Sequence, residues 1–215
     1  DVDAVADRIS NQKIVGWFQG RSEHGPRALG SRSIFMSPTR AENKDILNER
    51  VKHREGWRPF AGIIREEDVA DYFEEGFVTP YMLYCQTSKT DKIPAITHVD
   101  KTCRIQTVNE SQNPRVYELL GNLDLPVVLN TSFNDNGEPI VETPHHAILS
   151  FLKMDIDSLV IGDFIVDRNG EECSVVEALV EDGHAVDYYG GSKEDIKAAH
   201  MINRKRLIDE GIIDM

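Results

Sequence analysis

Short apolar runs alternate with amphipathic segments along the first three quarters of the chain, and their lengths are typical of buried strands and surface helices. Strands are predicted at 13–18, 60–64, 81–86, 103–108, 126–130 and 158–166. Helices are predicted at the N-terminal VDAVADRIS, at 41–51, at 114–120 and from Thr143, which acts as N-cap before Pro144. Strands that alternate with helices in this way indicate an α/β domain of the α+β type, with a mixed sheet and flanking helices.

The pattern changes after Val166. The stretch that follows is acidic and rich in turn residues, and it ends in a predicted helix with Ser192 as N-cap and Gly211 as its stop. We therefore predict two parts: a domain over 1–166 and an acidic C-terminal extension over 167–215 that ends in a helix.

Composition places the chain among ordinary globular proteins, with 40% hydrophobic and 28% charged residues. No apolar run approaches the roughly 18 residues of a membrane span, and the N-terminus is acidic where a secretory signal is basic. These features predict a cytoplasmic protein with no membrane partner. The three cysteines lack metal-ligand spacing, so we expect reduced, structural thiols.

The charge of the chain is unevenly distributed. The formal net charge is −13, yet residues 13–60 hold ten basic and five acidic residues, which makes this segment +5 and the remainder −18. An acidic protein with one basic segment favours a focused anion site over a nucleic-acid surface. The alternative is that these cations only cover solvated helix faces.

A stretch rich in glycine and arginine, GWFQGRSEHGPRALGSRS at 16–33, follows the first predicted strand. Glycines at 20, 25 and 30 would let backbone N–H groups approach an anion. The lysine of the P-loop pattern is missing, and no G-x-G-x-x-G occurs, so neither common nucleotide motif is present. The candidate anion ligands are Arg21, Arg27 and Arg32.

Two later stretches carry further candidates. In ITHVDKTCRIQTVN, five polar residues (His98, Asp100, Thr102, Arg104 and Gln106) have the same parity, so an extended strand would present them on one face, either to solvent or to a polar cavity. In VVLNTSFNDNGEPI, amides and hydroxyls follow a buried strand, as in ligand crevices or in an ordinary turn.

The histidines do not have metal-ligand spacing, and Ser132 does not lie in a nucleophile-elbow motif. No protein metal site is predicted. The chemistry expected is therefore anion binding and positioning.

Six motifs together resemble one family. GRSEHGPRALGSRSI, NERVKHREGWRPFAGII, HVDKTCRIQTV, NP, PVVLNTSFNDNGEPIVETP and SLVIGDFIV are similar, in order and spacing, to the C-terminal domain of the O-carbamoyltransferases of the nodulation and antibiotic-biosynthesis type. The resemblance covers about residues 10–166 and implies a YrdC-like twisted sheet. The chain departs from the family pattern at Gly62, Lys101 and Cys103, where the family usually has Pro, Gly and a smaller residue.

The resemblance also implies an activity. Carbamoyl phosphate and ATP, with Mg²⁺ bound to the nucleotide, would give carbamoyl-adenylate, and an N-terminal transferase domain absent from these residues would pass the carbamoyl group to a hydroxyl acceptor. The expected catalytic residues are Lys52, Arg58 and Arg104, and the expected substrate-binding residues are Arg54, His98, Ser132, Asn134, Arg21, Arg27 and Arg32. The alternative is a non-catalytic module of the same fold that binds nucleotide or RNA, or docks on the partner domain. We expect no nucleic-acid partner, and a homodimer is compatible with the sequence.

Overall fold

Eight strands form one mixed sheet in the computed structural model, which describes residues 2–168. The strands are β1 Val15–Phe18, β2 Arg32–Met36, β3 Ala61–Arg65, β4 Cys85–Thr87, β5 Thr102–Val108, β6 Val127–Ser132, β7 Ser158–Ile161 and β8 Phe164–Asp167. Their order across the sheet is β4-β5-β3-β6-β2-β1-β7-β8. The pairs β3–β5 and β1–β7 are parallel and the others antiparallel, so the predicted mixed sheet is confirmed.

Helices flank this sheet, as predicted. They are α1 Val2–Ser10, α2 Glu42–Leu47, α3 Val69–Tyr72, α4 Pro114–Gly121 and α5 Pro144–Lys153, of which α3 was not predicted. The predicted N-cap of α5 is confirmed, because the Thr143 side chain accepts a hydrogen bond from the backbone N–H of His146. Asn113 caps α4 in the same way, with the N–H of Val116 as donor. Both helices begin with proline, whose missing N–H costs nothing at that position.

One strand was not predicted, and two predicted strands were wrong in part. Strand β2 was missed, because its first residues, Arg32 and Ser33, read as the end of a loop although both are buried. Only the end of 81–86 is a strand, and Tyr81, Leu83 and Tyr84 are exposed. The predicted strand 158–166 is a hairpin, β7 and β8, that turns at Gly162 with a φ of +57°. β8 ends at Asp167, one residue beyond the predicted boundary of the domain, and the predicted helix from Ser192 lies outside the described residues.

The helix predicted at 41–51 is an α-helix only in its first part. α2 ends at Leu47, and residues Asn48–Lys52 continue as one turn of π-helix, after which His53 takes the left-handed conformation with a φ of +46°. This wider turn is common at functional sites. Here it ends at Lys52, whose side chain reaches the C-terminal end of β6.

Helices α1 and α4 pack against the sheet through an apolar cluster. Val5 and Val116 from these helices belong to one buried cluster with Trp17, Phe35 and Val128 from the strands. Burial of large apolar side chains is the main favourable contribution to folding. These packed side chains form part of the structural core of the domain.

Gly62 lies on β3, and its missing side chain leaves room for the short helical turn Pro94–Ile96. A Cβ at this position would lie 2.6 Å from Cδ1 of Ile96. We predict that Gly62→Ala lowers the free energy of unfolding by about 1–2 kcal/mol, a typical cost of overpacking. Removing the clashing methyl with Ile96→Val should recover about half of that loss in the double variant, as measured by urea unfolding.

The matched control for this prediction is Gly56→Ala, because a Cβ there would approach Asp45 no closer than 4.0 Å. The control should change stability by less than about 0.5 kcal/mol. If Gly62→Ala and the control behave alike, the close contact between Gly62 and Ile96 is not present in solution.

The other two departures from the family pattern have local explanations. Lys101 has a φ of +66°, a left-handed conformation that glycine adopts without cost, which explains why glycine suits this turn. Cys103 is buried on β5, with its Sγ 3.3 Å from Thr97 Oγ1, and burial raises the pKa of its thiol to about 11. Such a thiol stays protonated, in agreement with the structural role predicted for it. Cys85 is free and exposed.

Candidate anion-binding site

One face of the sheet changes from apolar to polar along its strands. On β6, Val128 packs in the core, Asn130 lies two residues further along the same face, and Ser132 lies two residues beyond that. On β5, Gln106 and then Arg104 occupy the same face toward the same end. Asn130 and Gln106 are 2% and 4% exposed, so these polar groups lie inside the protein.

Lys52 reaches the end of β6 from the π-helical turn. Its Nζ donates to the Ser132 carbonyl at 3.0 Å, the Asn134 carbonyl at 2.8 Å and the Asn134 Oδ1 at 3.0 Å. Ser132 Oγ donates to the same Oδ1 at 2.5 Å. All three ammonium protons therefore have partners, and Lys52 fixes the shape of the turn after β6. Lys52, Ser132 and Asn134, which the sequence predicted separately, form one hydrogen-bonded group.

A cleft of about 390 Å³ opens over this group. We call it the cationic cleft; its lining residues are Lys52, His53, Arg54, Glu55, Arg58, Ser132, Asn134, Asp135, Asn136 and Gly137. Two carboxylates in the lining already have basic partners, since Glu55 Oε2 lies 2.8 Å from Arg58 Nε and Asp135 Oδ2 lies 3.0 Å from Lys153 Nζ.

Arg54 and Arg58 approach the cleft differently. The Arg54 guanidinium lies 4.6 Å from the centre of the Phe60 ring, and its Nε donates to Asn48 Oδ1 at 3.1 Å. Burial, and then the charges of Arg58 and Arg104, lower the pKa of Arg54. Arg58 is about half exposed at the mouth of the cleft. Neighbouring cations that repel one another are stabilised when an anion binds between them.

Arg104 is half-buried beside this cluster, and its Nε has no hydrogen-bond partner. Burial lowers the pKa of Arg104, and the charge of Arg27 lowers it further. None of the ion pairs within residues 2–168 includes Arg104. A guanidinium that is partly desolvated and lacks a carboxylate is unfavourable in the free protein, and an oxyanion would relieve that cost.

His98 is not on the strand face where the sequence placed it. It lies with Asp100 in the turn before β5, so the shared face begins at Thr102. His98 Nδ1 lies 3.1 Å from Thr102 Oγ1, which donates its own proton to Asp100 Oδ1. The Nδ1 atom therefore donates, and the buried Nε2 is left without a partner. Burial, and the charges of Arg104 and Lys44, lower the pKa of His98, against the opposing effect of Asp100.

The loop between β1 and β2, residues 19–31, carries the other predicted arginines, and we call it the glycine loop. Arg21 and Arg27 are exposed on it. Arg32, in contrast, is buried with its guanidinium over the Phe18 ring at 3.6 Å, and it donates to the carbonyls of Gln19, Ser31 and Gly20. In the free domain these donors hold the loop backbone, and the expectation that Arg32 binds substrate stays a prediction.

Some lining residues were not predicted from the sequence. The turn Asp135–Gly137 and the side chains of His53 and Glu55 border the cleft. The sequence marked 135–137 only as a turn, and a signal was present in its position directly after Asn134. Within residues 2–168 no group of three or more His, Cys, Asp or Glu side chains could hold a metal ion.

The pKa of Lys52 gives a pH-dependent prediction. Burial, and then the charge of Arg54, lower this pKa from 10.5 to about 8, against the opposing effect of Asp135. As pH rises through 8 the ammonium loses its charge, whereas the arginines of the cleft keep theirs. We expect sulfate, which stays fully ionised in this range, to bind roughly 3- to 10-fold more weakly at pH 9 than at pH 7, because the cleft loses the positive charge of Lys52 beside the anion.

Titrations of sulfate followed by NMR measure this change. In Lys52→Met the affinity should be low and nearly independent of pH over the same range. Equal pH dependence in the variant and the parent chain would assign the effect to another group.

Among the residues that the structure describes, no helix has the length and apolar character to span a membrane.

Comparisons with known proteins agree with the architecture of the domain. A family profile described as "Carbamoyltransferase C-terminus" matches residues 6–168. Nodulation protein NolO of Bradyrhizobium diazoefficiens is 46% identical over 175 residues, which is 77% of this chain and 32% of that protein. The 3'-hydroxymethylcephem-O-carbamoyltransferase of Amycolatopsis lactamdurans is 39% identical over 166 residues, 75% of this chain and 32% of that protein. The chain thus spans about a third of the length of these relatives.

Two solved structures share the fold. Full-length HypF in its phosphate- and nucleotide-bound form superposes with a TM-score of 0.54 at 21% identity, covering 74% of this chain and 20% of HypF. Escherichia coli YciO superposes with a TM-score of 0.50 at 13% identity, covering 78% of this chain and 87% of YciO. At such identities the likeness concerns the fold, and it agrees with the predicted YrdC-like sheet.

Proposed function

The chain belongs to the carbamoyltransferase C-terminus family, and from this membership and the cationic cleft we propose that the domain forms carbamoyl-adenylate from carbamoyl phosphate and ATP. One observation carries the proposal: Lys52, Arg54 and Arg58 meet at the end of β6 within reach of the charge of Arg104. Clusters of cations with this geometry suit ligands that carry several phosphate charges.

The proposed reaction has two steps. Water first hydrolyses carbamoyl phosphate to carbamate and inorganic phosphate. A carbamate oxygen then attacks the α-phosphorus of ATP, the bond between that phosphorus and the bridging oxygen breaks, and pyrophosphate leaves. Both steps bring anions together, so the cations have to offset repulsion and stabilise charge on the leaving groups.

We assign the residues by their positions. Lys52 holds Ser132 and Asn134 in place beside the phosphates, and Arg54 and Arg58 bind the oxyanions of carbamoyl phosphate from the cleft wall. Arg104 binds from the neighbouring strand. His98 Nε2 is unpartnered in the free domain, and because Nδ1 carries the proton of the neutral ring, Nε2 accepts a hydrogen bond from the amino group of the carbamate. Exposed Arg21 and Arg27 of the glycine loop contact the nucleotide phosphates.

The relatives support this class of ligand and reaction. HypF was crystallised with phosphate and nucleotide bound, and the Amycolatopsis relative is a cephem O-carbamoyltransferase. Mg²⁺ would arrive with the nucleotide. Since the chain spans about a third of its relatives, we propose that transfer to a hydroxyl acceptor requires the other part of such proteins, and that this chain alone carbamoylates no alcohol.

Isotope exchange tests the proposed function. The chain is incubated with ATP, Mg²⁺, carbamoyl phosphate and radiolabelled pyrophosphate, and label should enter ATP only when carbamoyl phosphate is present. Omission of carbamoyl phosphate, or its replacement by acetyl phosphate, is the control. Nucleotide binding without any exchange would favour the non-catalytic binding module instead.

A further inference from the structure

One residue of the glycine loop has the wrong charge for an anion site. Glu23 lies between Arg21 and Arg27, where a carboxylate would weaken the binding of phosphate if it faced the ligand. It faces the loop instead: its Oε1 accepts from the backbone N–H of Leu29 at 2.9 Å and from that of Ser31 at 2.5 Å.

The part of the loop next to β2 is held firmly by the body of the domain. Gln106 Nε2 donates to the Leu29 carbonyl, Asn130 Nδ2 donates to the Ala28 carbonyl, and Trp17 Nε1 donates to the Gly30 carbonyl at 2.8 Å. These donors come from three different strands. Residues 28–30 are therefore a fixed base against which the rest of the loop can be positioned.

The outer part of the loop has few attachments of its own. Residues 24–27 are exposed, and Gly25 has a φ of +120°. Besides Glu23, two contacts hold the start of this segment: Arg32 donates to the Gly20 carbonyl at 3.0 Å, and Ser22 Oγ donates to the exposed Glu142 at 2.8 Å. Arg32 thus holds the segment where it begins, and the carboxylate of Glu23 connects its outer part, between Arg21 and Arg27, to the backbone of Leu29 and Ser31.

We propose that Glu23 is a positioning residue, which closes the glycine loop on its own backbone so that Arg21 and Arg27 are held in place for the phosphates. It acts through the arginines and touches no substrate. Preorganised cations bind anions more tightly, because less conformational entropy is lost on binding. The role of the loop at the phosphates rests on the proposed function, whereas closure of the loop by Glu23 does not.

Two conservative variants distinguish the effect of the length of the Glu23 side chain from the effect of its charge. Glu23→Gln keeps an oxygen at the same distance for both N–H groups and removes the charge, whereas Glu23→Asp keeps the charge and shortens the reach by one methylene. We expect Asp to raise the KM for ATP in the exchange reaction roughly 10-fold, with kcat within about threefold, and Gln to stay within about threefold of the parent in both. Exposed Glu110→Ala is the matched control and should change neither.

Hydrogen exchange of the Leu29 and Ser31 amides gives a readout that does not depend on activity. Both amides should exchange at least 10-fold faster in Glu23→Asp than in the parent chain, and Glu23→Gln should stay close to the parent. If Gln is as defective as Asp or more so, Glu23 acts through its charge on a ligand or ion, and the proposal is wrong. If the parent chain shows no isotope exchange, the proposed function fails, but the amide measurements still decide whether Glu23 closes the loop.

Discussion

Arg104→Lys is expected to lower the rate of pyrophosphate exchange by roughly one to three orders of magnitude, the range for loss of one preorganised stabilising contact. Lysine keeps the charge but loses the planar fork that binds two oxygens of a phosphate or carbamate. Arg104 has the strongest structural reason for such an effect, because it is half-buried and its Nε has no partner. Arg58→Lys should also lower the exchange rate within this range, but by less than Arg104→Lys does. Arg58 is half exposed, and it already forms an ion pair with Glu55.

The control for both arginines is Arg40→Lys, because Arg40 is exposed away from the cleft. Thermal unfolding of all three variants should lie close to that of the parent chain. If Arg104→Lys is folded and retains the exchange rate of the parent chain, Arg104 is not part of the site.

Lys52→Met is the second change with a large expected effect, and it should affect both activity and stability. The substitution leaves three acceptors at the end of β6 without their donor: the carbonyls of Ser132 and Asn134 and the Asn134 side-chain oxygen. The acceptors are partly buried, and two of them keep a second donor, because the Asn134 N–H donates to the Ser132 carbonyl and Ser132 Oγ donates to Asn134 Oδ1. We therefore expect the free energy of unfolding to fall by about 1–3 kcal/mol. Exchange should fall by roughly 100-fold or more, because the phosphates lose both a charge and the ordered turn.

Urea unfolding and isotope exchange, both well below the unfolding temperature, measure the two effects. Lys92→Met is the matched control, because Lys92 is exposed and far along the chain from the cleft residues. If Lys52→Met unfolds like the parent, its hydrogen bonds to the turn do not contribute in solution; if it also keeps the parent exchange rate, Lys52 is not part of the site.

Local sequence signals were enough for much of the fold. Apolar runs located β1, β3, β5 and β6, and the pair Thr143–Pro144 located the start of α5, because strand burial and helix capping depend on residues close in sequence. Strand β2 could not be found in this way. Its first residue, Arg32, is buried only because backbone carbonyls of the neighbouring loop accept its protons, and these contacts depend on the folded loop.

For the candidate site, too, some features depend on residues close in sequence and others depend on the folded protein. Motif position was sufficient to select Lys52, Ser132 and Asn134, but the hydrogen bonds that join them depend on the register of β6 and on the π-helical turn. The prediction that His98 lies on the strand face of Arg104 was wrong, because His98 lies in the turn before β5, although the charge of Arg104 still reaches it. The inward direction of Glu23 could not be predicted either, since a glutamate among arginines gives no sign in the sequence of which way it faces.

The formation of carbamoyl-adenylate can be observed directly. The chain is mixed with ATP, Mg²⁺ and carbamoyl phosphate labelled with ¹³C in the carbamoyl carbon, the reaction is quenched within seconds, and the nucleotides are analysed by mass spectrometry. Our proposal predicts AMP that carries one ¹³C-carbamoyl group, together with equal amounts of phosphate and pyrophosphate. Nucleotide that binds but remains ATP, or that is converted to ADP with no labelled AMP, would contradict it.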